Sequence, residues 1–136
     1  MSRFTLEQIQ SVKGKLKVYK LAIDGKCEFD GFCNALQRQN KNDVIIRILA
    51  TLDSYANLTR LPASKFRDLK KPKSDSVKEY EIKTGKYRVY LFKVPNGATV
   101  VLGGIKTNQK KDLKRFRSVK SEYIKHTKDD HKGTTS

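Results

Sequence analysis

The sequence predicts an α+β domain in which an antiparallel sheet, formed by an N-terminal strand and a three-strand meander, packs with a helical hairpin and a C-terminal helix. Three patterns lead to this prediction: apolar residues at helical spacing over 42–58, three apolar segments joined by turn signals over 77–106, and a basic helical pattern over 110–125. A sheet with helices on one side fits this order. At 136 residues we expect one domain, 1–136, with a disordered polar tail over 127–136.

The first half of the chain predicts a strand and then two helices. Apolar side chains alternate with lysines over 15–23 and predict a strand that ends at the turn pair Asp24-Gly25. Residues 30–39 and 42–58 then predict the two helices of the hairpin. We expect Asn42 or Asp43 to cap the second helix and Asn57 to end it in a left-handed conformation.

Two further segments give weaker patterns. Residues 5–8, Thr-Leu-Glu-Gln, match a capping box and predict a short helix. Residues 62–76 contain two prolines and the basic run Lys70-Lys71-Pro72-Lys73, and they predict an irregular surface loop.

The second half predicts an antiparallel meander. Segments 77–83 and 87–94 are rich in β-branched and aromatic residues and are separated by a short turn. The pair Asn96-Gly97 is a strong hairpin signal before a third strand over 98–106. The N-terminal strand must pair with one of these three strands. Gly103-Gly104 in the last strand predicts a bulge or a close backbone approach.

The charge of the chain indicates a polyanionic partner. The 30 Lys and Arg residues outnumber the 14 Asp and Glu residues, which gives a net charge of +16. Residues 1–62 carry 10 basic and 6 acidic residues, whereas residues 63–136 carry 20 and 8. A nucleic acid, or an acidic protein that masks the charge, is therefore expected to bind the second half.

Other classes of protein and site are disfavoured. Cys27 and Cys33 lack zinc-ligand spacing and have no histidine nearby, so we expect free cysteines that act as small hydrophobes in a reducing cytoplasm. No metal cluster or glycine-rich phosphate loop is present in the sequence, and no cofactor is expected. The first ten residues lack an apolar signal core, and no segment is apolar enough to span a bilayer. We expect a cytoplasmic protein with no membrane partner.

The second half also resembles a known family. Residues 80–92, YEIKTGKYRVYLF, are followed by residues 100–111, VVLGGIKTNQKK, and by a basic helix. This order resembles the RelE/ParE superfamily of bacterial toxins, in particular the HigB and phage-derived branch. Glu81, the Tyr-Arg-Val triplet at 87–89 and the Gly-Ile-Lys triplet at 104–106 stand where that family has its strand motifs. The resemblance covers about residues 15–125.

The resemblance implies a RelE-like fold with a basic groove and a toxin that belongs to a toxin–antitoxin system. Many members enter the ribosomal A site and cleave mRNA, and an antitoxin encoded alongside blocks them. The implied activity is a metal-independent endoribonuclease whose partners are mRNA, the ribosome and the cognate antitoxin. A gyrase inhibitor of the ParE type and a non-enzymatic nucleic-acid-binding module are the alternatives.

Four residues are candidates for the chemistry of RNA cleavage. Arg88 is a charge in the middle of an apolar strand, where it can hold the scissile phosphate bidentately. Lys106 follows the last strand, at the start of the final helix, where phosphates bind well. Glu81 is a candidate base, with pairing to Arg88 as its alternative role. Tyr123 stands where the family sometimes has a catalytic aromatic in its last helix, and a core role is equally open.

Further basic residues are candidates for binding the nucleic-acid backbone. They lie around the first turn of the meander and along the final helix, where a generic solvated basic face is the alternative interpretation. They are Lys83, Lys86, Lys110, Lys111, Lys114, Arg115 and Arg117.

Overall fold

The computed structural model describes residues 3–69 and 76–135, with side chains as far as residue 128. The architecture is α+β, with a six-stranded mixed sheet and three helices, the last of them C-terminal. The elements in chain order are β1 (Phe4–Gln8), β2 (Lys17–Ile23), α1 (Glu28–Arg38), α2 (Asn42–Ala56), β3 (Phe66–Asp68), β4 (Glu79–Thr84), β5 (Tyr87–Val94), β6 (Gly97–Ile105) and α3 (Gln109–Thr135), with a 3-10 turn (Lys106–Asn108) before α3.

The strand order is β1-β2-β6-β5-β4-β3. All neighbouring strands are antiparallel except β2 and β6, which are parallel, so the expectation of an antiparallel sheet is corrected to a mixed one. The prediction that the N-terminal strand joins the meander is confirmed. Gly97 permits this pairing, because a Cβ there would lie 1.7 Å from the carbonyl oxygen of Lys17.

Helices cover both faces of the sheet, whereas the sequence favoured helices on one side. Neighbouring residues of a strand point to opposite faces. In β5, Val89 and Leu91 pack with the apolar residues of α1 and α2, whereas Tyr90 and Phe92 pack with Phe116 and the rest of α3. Because the central strands are apolar on both faces, a single layer of helices would have left one face in water.

The two outer strands of the sheet were not predicted. Residues 5–8 belong to β1 and not to a helix. They pair antiparallel with β2, and every second side chain of the strand is buried or half-buried. Strand β3 lies inside the segment predicted to be an irregular loop and pairs antiparallel with β4. The basic run over 70–73 lies outside the described residues.

The helix ends differ from the predicted ones in detail. Helix α2 begins after Lys41, which makes no side-chain capping bond. The left-handed residue that follows the helix is Leu58, with φ of 61°, and not Asn57. Helix α3 has a helical backbone as far as Thr135, where the sequence favoured a disordered tail. Of the helices described, none combines the length and the apolar character needed to cross a bilayer.

Candidate functional site

Arg88, Lys83 and Glu81 lie together at one end of the sheet. Arg88 is paired with Lys83 on β4 and with Gly104 on β6. One step along on the same face, Tyr90 is paired with Glu81. Because directly opposed residues in an antiparallel pair share a face, these side chains form two adjacent rows on the face that α3 covers.

The Arg88 guanidinium is anchored by the hairpin between β4 and β5. The residue is only 8% exposed. Its Nη1 donates to the carbonyl oxygens of Gly85, at 2.8 Å, and Tyr87, at 2.9 Å. Its Nε is buried and has no hydrogen-bond partner among the described residues. A buried donor without a partner costs about 1–3 kcal/mol, so this N–H is a candidate for binding an anionic ligand.

Glu81 is fully buried, and both of its carboxylate oxygens are occupied. Arg67 on β3 donates from Nε to Oε1 at 2.9 Å, and Gln109 at the start of α3 donates from Nε2 to Oε2. Glu81 therefore links β3 and α3 to β4. Its ion-pair partner is Arg67 and not Arg88, and the carboxylate is closed to solvent and held by two donors, so this placement supports a positioning role.

Asp112 is a carboxylate on the face of the sheet that carries the Arg88 row. It lies in the first turn of α3, against Gly104, where a Cβ would be 2.1 Å from Asp112 Oδ2. The neighbours of the glycine pair are side chains, Asp112 at Gly104 and Phe32 at Gly103, and not a second backbone segment, and the bulge lies at Tyr90 and Leu91. Burial raises the pKa of Asp112, although neighbouring Lys111 lowers it. A carboxylate with raised proton affinity that lies against Gly104, the β6 residue paired with Arg88, is a candidate proton acceptor.

The candidate lysines frame this end of the sheet. The backbone N–H of Lys106 donates to the carbonyl oxygen of Lys86 at 2.7 Å, which brings the 3-10 turn against the β4–β5 hairpin. Lys106, Lys86 and the lysines of the first turns of α3 are exposed and form a basic rim around the Arg88 row. The rim consists of Lys86, Lys106, Lys110, Lys111 and Lys114.

The two arginines of α3 are already engaged in ion pairs. Arg115 Nε lies 3.2 Å from Glu28 Oε1 in an exposed pair. Arg117 donates from Nε and Nη2 to Glu79 Oε1, both at 3.1 Å, and Glu79 is buried. Exposed pairs contribute little and exchange readily, so Arg115 stays a candidate for binding nucleic acid, whereas Arg117 supports the fold.

Tyr123 lies far from Arg88. Along α3 it is fourteen residues beyond Gln109, or about 21 Å at the helical rise. Its ring packs edge-on against Phe4, with 5.7 Å between centroids, and against Phe92, at 5.6 Å. Burial raises its pKa. This placement makes Tyr123 part of the core and does not support a role with Arg88.

Sequence reasoning missed Arg67, Gln109 and Asp112. Arg67 stood in a segment predicted to be irregular, so nothing placed it on a strand beside Glu81. The signal for Asp112 was present in the glycine pair, since a strand glycine often marks a close neighbour. The burial of Glu79 and Glu81 had no such signal, because carboxylates that alternate with apolar residues normally lie on a solvated face, which α3 covers here.

Comparisons of the chain with protein-family models, with curated proteins and with solved structures find no match. Function is therefore inferred from the geometry of the site. The site offers an anchored guanidinium, a nearby carboxylate and a rim of free lysines. Among the described residues, no group of His, Cys, Asp and Glu side chains is arranged to hold a metal ion. The arrangement can bind a phosphodiester and accept a proton beside it.

Proposed function

We propose that this protein is the toxin of a toxin–antitoxin pair and acts as a metal-independent endoribonuclease on mRNA in the ribosomal A site, which inhibits translation. The observation that carries the proposal is Arg88, whose guanidinium is fixed by the hairpin and keeps an unpartnered N–H within a rim of lysines. Such a fixed cation suits the charge that develops on a phosphate during cleavage.

The proposed reaction uses the 2′-OH of the RNA itself. The 2′-oxygen forms a bond to the adjacent phosphorus as the bond to the 5′-oxygen breaks, leaving a cyclic phosphate and a 5′-hydroxyl. The protein must orient the two oxygens in line, take the proton of the 2′-OH and supply one to the leaving oxygen. Arg88 stabilises the phosphate charge, and Asp112 is our candidate for the proton acceptor.

The lysine rim provides affinity for the strand. Each phosphate neutralised by a lysine releases counterions, so binding should weaken steeply with salt. The net charge of +16 also suits an acidic antitoxin that covers the same surface. The proposal thus includes RNA and an antitoxin as partners and places the activity in the cytoplasm.

The order of elements supports kinship with the RelE/ParE toxins. With the outer strands β1 and β3 set aside, a strand, a helical hairpin, a three-strand meander and a final helix follow one another in the order that the resemblance implies. Membership of that superfamily, and of its HigB and phage-derived branch, is likewise proposed.

Expression of the wild-type protein without a partner tests the proposal. We expect growth arrest and new mRNA ends detected by primer extension. Arg88→Ala should abolish both, and Arg88→Lys, which keeps the charge but loses the planar fork, should restore little. Arg38→Ala is the matched control, because Arg38 is exposed at the end of α1.

Thermal melting of each purified variant establishes that it folds. Growth arrest with intact mRNA would contradict the ribonuclease and favour gyrase inhibition. Binding of RNA without arrest or cleavage would favour a non-enzymatic binding module.

A further inference from the structure

Two lysines extend the Arg88 row towards the edge of the sheet. Lys83 on β4 is paired with Arg88 on β5. The backbone N–H of Lys83 donates to the carbonyl oxygen of Lys65 at 2.8 Å, which continues the β3–β4 pairing by one residue beyond Phe66 and Ile82. Lys65, Lys83 and Arg88 thus form one cationic row, which spans about 10 Å at the usual strand spacing.

Strand alternation places the cationic row on the face of the sheet that α3 covers. Ile82, the neighbour of Lys83 in β4, belongs to the core under α1 and α2. Phe66, the neighbour of Lys65, packs against the same core. Because neighbouring residues of a strand point to opposite faces, the side chains of Lys65 and Lys83 lie on the other face, together with that of Arg88.

The edge strand at the outer end of the row is held to β4 from both faces. On the α3 face, Arg67 donates to the buried carboxylate of Glu81 at 2.9 Å. On the other face, the ring of Phe66 packs on Tyr55 of α2 and on Tyr80 of β4, with 5.3 Å and 5.1 Å between centroids. These contacts fix the register of β3 and thereby the outer end of the cationic row.

Exposure increases along the cationic row. Arg88 is 8% exposed, Lys83 is half-buried and Lys65 is exposed. Helix α3 covers the inner end of the row, where Asp112 lies against Gly104. The outer end lies at β3, the last strand in the order of the sheet. An extended strand bound at Arg88 can therefore leave the site along Lys83 and Lys65.

The cationic row has an electrostatic cost within the protein. Like charges directly opposite each other on neighbouring strands destabilise a sheet. Within residues 3–69 and 76–128, no carboxylate forms an ion pair with Lys65 or Lys83. Both oxygens of Glu81, the carboxylate in the adjacent row, already accept hydrogen bonds from other donors. A polyanionic backbone along the row would relieve the repulsion.

We infer that Lys83 and Lys65 bind the backbone phosphates next to the one held by Arg88, so that the RNA leaves the site across β4 and β3. The inference rests on the proposed function, since it takes the ligand to be single-stranded RNA. Lysine binds a phosphate as a point charge, and phosphate contacts read no base. The two lysines therefore add affinity without sequence preference.

The test uses a short fluorescent oligoribonucleotide that is 2′-O-methylated throughout and so resists cleavage. Binding is followed by fluorescence anisotropy over a range of salt concentrations for wild type, Lys83→Gln, Lys65→Gln and the double variant. Each single variant should bind severalfold more weakly at low salt. The slope of log K against log salt should become shallower by about 0.7 in each single variant, the value for one phosphate contact on a single strand, and by about 1.4 in the double variant.

Lys15→Gln/Lys17→Gln is the matched control, because it removes two exposed lysines from the opposite end of the sheet. Equal losses in this control and in Lys65→Gln/Lys83→Gln overturn the inference, since they would reflect net charge alone. Wild-type affinity and slope in Lys65→Gln/Lys83→Gln overturn it as well. If Arg88→Ala then still abolishes cleavage, the proposed function stands without this path. If wild type neither binds the oligonucleotide nor cleaves RNA, the proposed function itself fails, and this inference with it.

The charge-preserving variant Lys65→Arg/Lys83→Arg separates loss of charge from loss of structure. It should keep the wild-type slope, because arginine also binds phosphate. Since the lysines repel each other in the free protein, Lys65→Gln/Lys83→Gln should melt no lower than wild type. An equally shallow slope in both double variants overturns the inference, because the charge of the row would then not be what binds the strand.

Discussion

Glu79 on β4 and Lys120 on α3 form an ion pair, with 3.0 Å between Oε2 and Nζ, although both side chains are at most 2% exposed. Lys120 also donates to the carbonyl oxygen of Val77 at 2.6 Å, and Arg117 donates to the other oxygen of Glu79. The cluster fixes α3 to the sheet and so sets the position of Asp112, two turns earlier on the helix, relative to Arg88.

Lys120→Met should destabilise the protein by about 3 kcal/mol, because Glu79 would lose its buried counterion. The double variant Glu79→Leu/Lys120→Met should lose much less, since it removes both buried charges and leaves Arg117 able to reach solvent. Urea denaturation measures both values, and the exposed Lys125→Met serves as the control. A double variant less stable than Lys120→Met would contradict this account.

Gly104→Ala should impair RNA cleavage with little loss of stability. Its Cβ would displace the carboxylate of Asp112, which is the flexible end of a side chain and can rotate away at small cost in free energy. If Asp112 accepts the proton, Asp112→Ala alone should be as inactive as the glycine variant, and the double variant no worse than either. Full activity in Asp112→Ala would remove Asp112 from the mechanism.

Tyr90→Phe should stabilise the protein by about 1 kcal/mol. The Tyr90 hydroxyl is buried without a hydrogen-bond partner among the described residues, and burial raises the pKa of the phenol strongly. Removing it removes an unsatisfied polar group and leaves the ring packed on Phe116. Tyr55→Phe is the comparison, because its hydroxyl donates to Gly97. Destabilisation by Tyr90→Phe, seen in thermal melting, would indicate a partner such as a buried water.

The stability of the protein should depend on pH through Asp112. Burial raises the pKa of this carboxyl above its ordinary value of 3.8. The folded state therefore binds a proton that the unfolded state releases, and this contribution to stability is lost as pH rises through the raised pKa. Asp112→Asn should gain stability relative to wild type as pH rises from about 4 through the raised pKa of this carboxyl. A difference that is constant across this range, measured by urea denaturation, would count against it.

The elements that could be predicted from sequence are those with a local signal. Helix α2 has a long apolar stripe, and the β5–β6 hairpin has its Asn-Gly pair, with Asn96 at a φ of 65°. Strands β1 and β3 are short and lie at the sheet edges, so pairing with β2 and β4 decides their conformation. The parallel pairing of β2 with β6 depends on the packing of two cores, which no local pattern encodes.

The candidate site could be predicted only in part for the same reason. Arg88 was found because a charge in an apolar strand is visible in the sequence. The role of Arg67 could be recognised only from the pairing of β3 with β4, and that of Asp112 only from the packing of α3 over Gly104.

The parallel pairing of β2 with β6 also has a consequence for folding. Lys17 is paired with Gly97, eighty residues later in the chain, and the intervening helices and strands lie between these partners in sequence. Closing a loop has an entropic cost that grows with its length, and chains dominated by such distant pairings fold slowly. The sheet that carries Arg88 therefore cannot close until synthesis has passed β6. During most of its synthesis the chain lacks the surface on which its activity would depend.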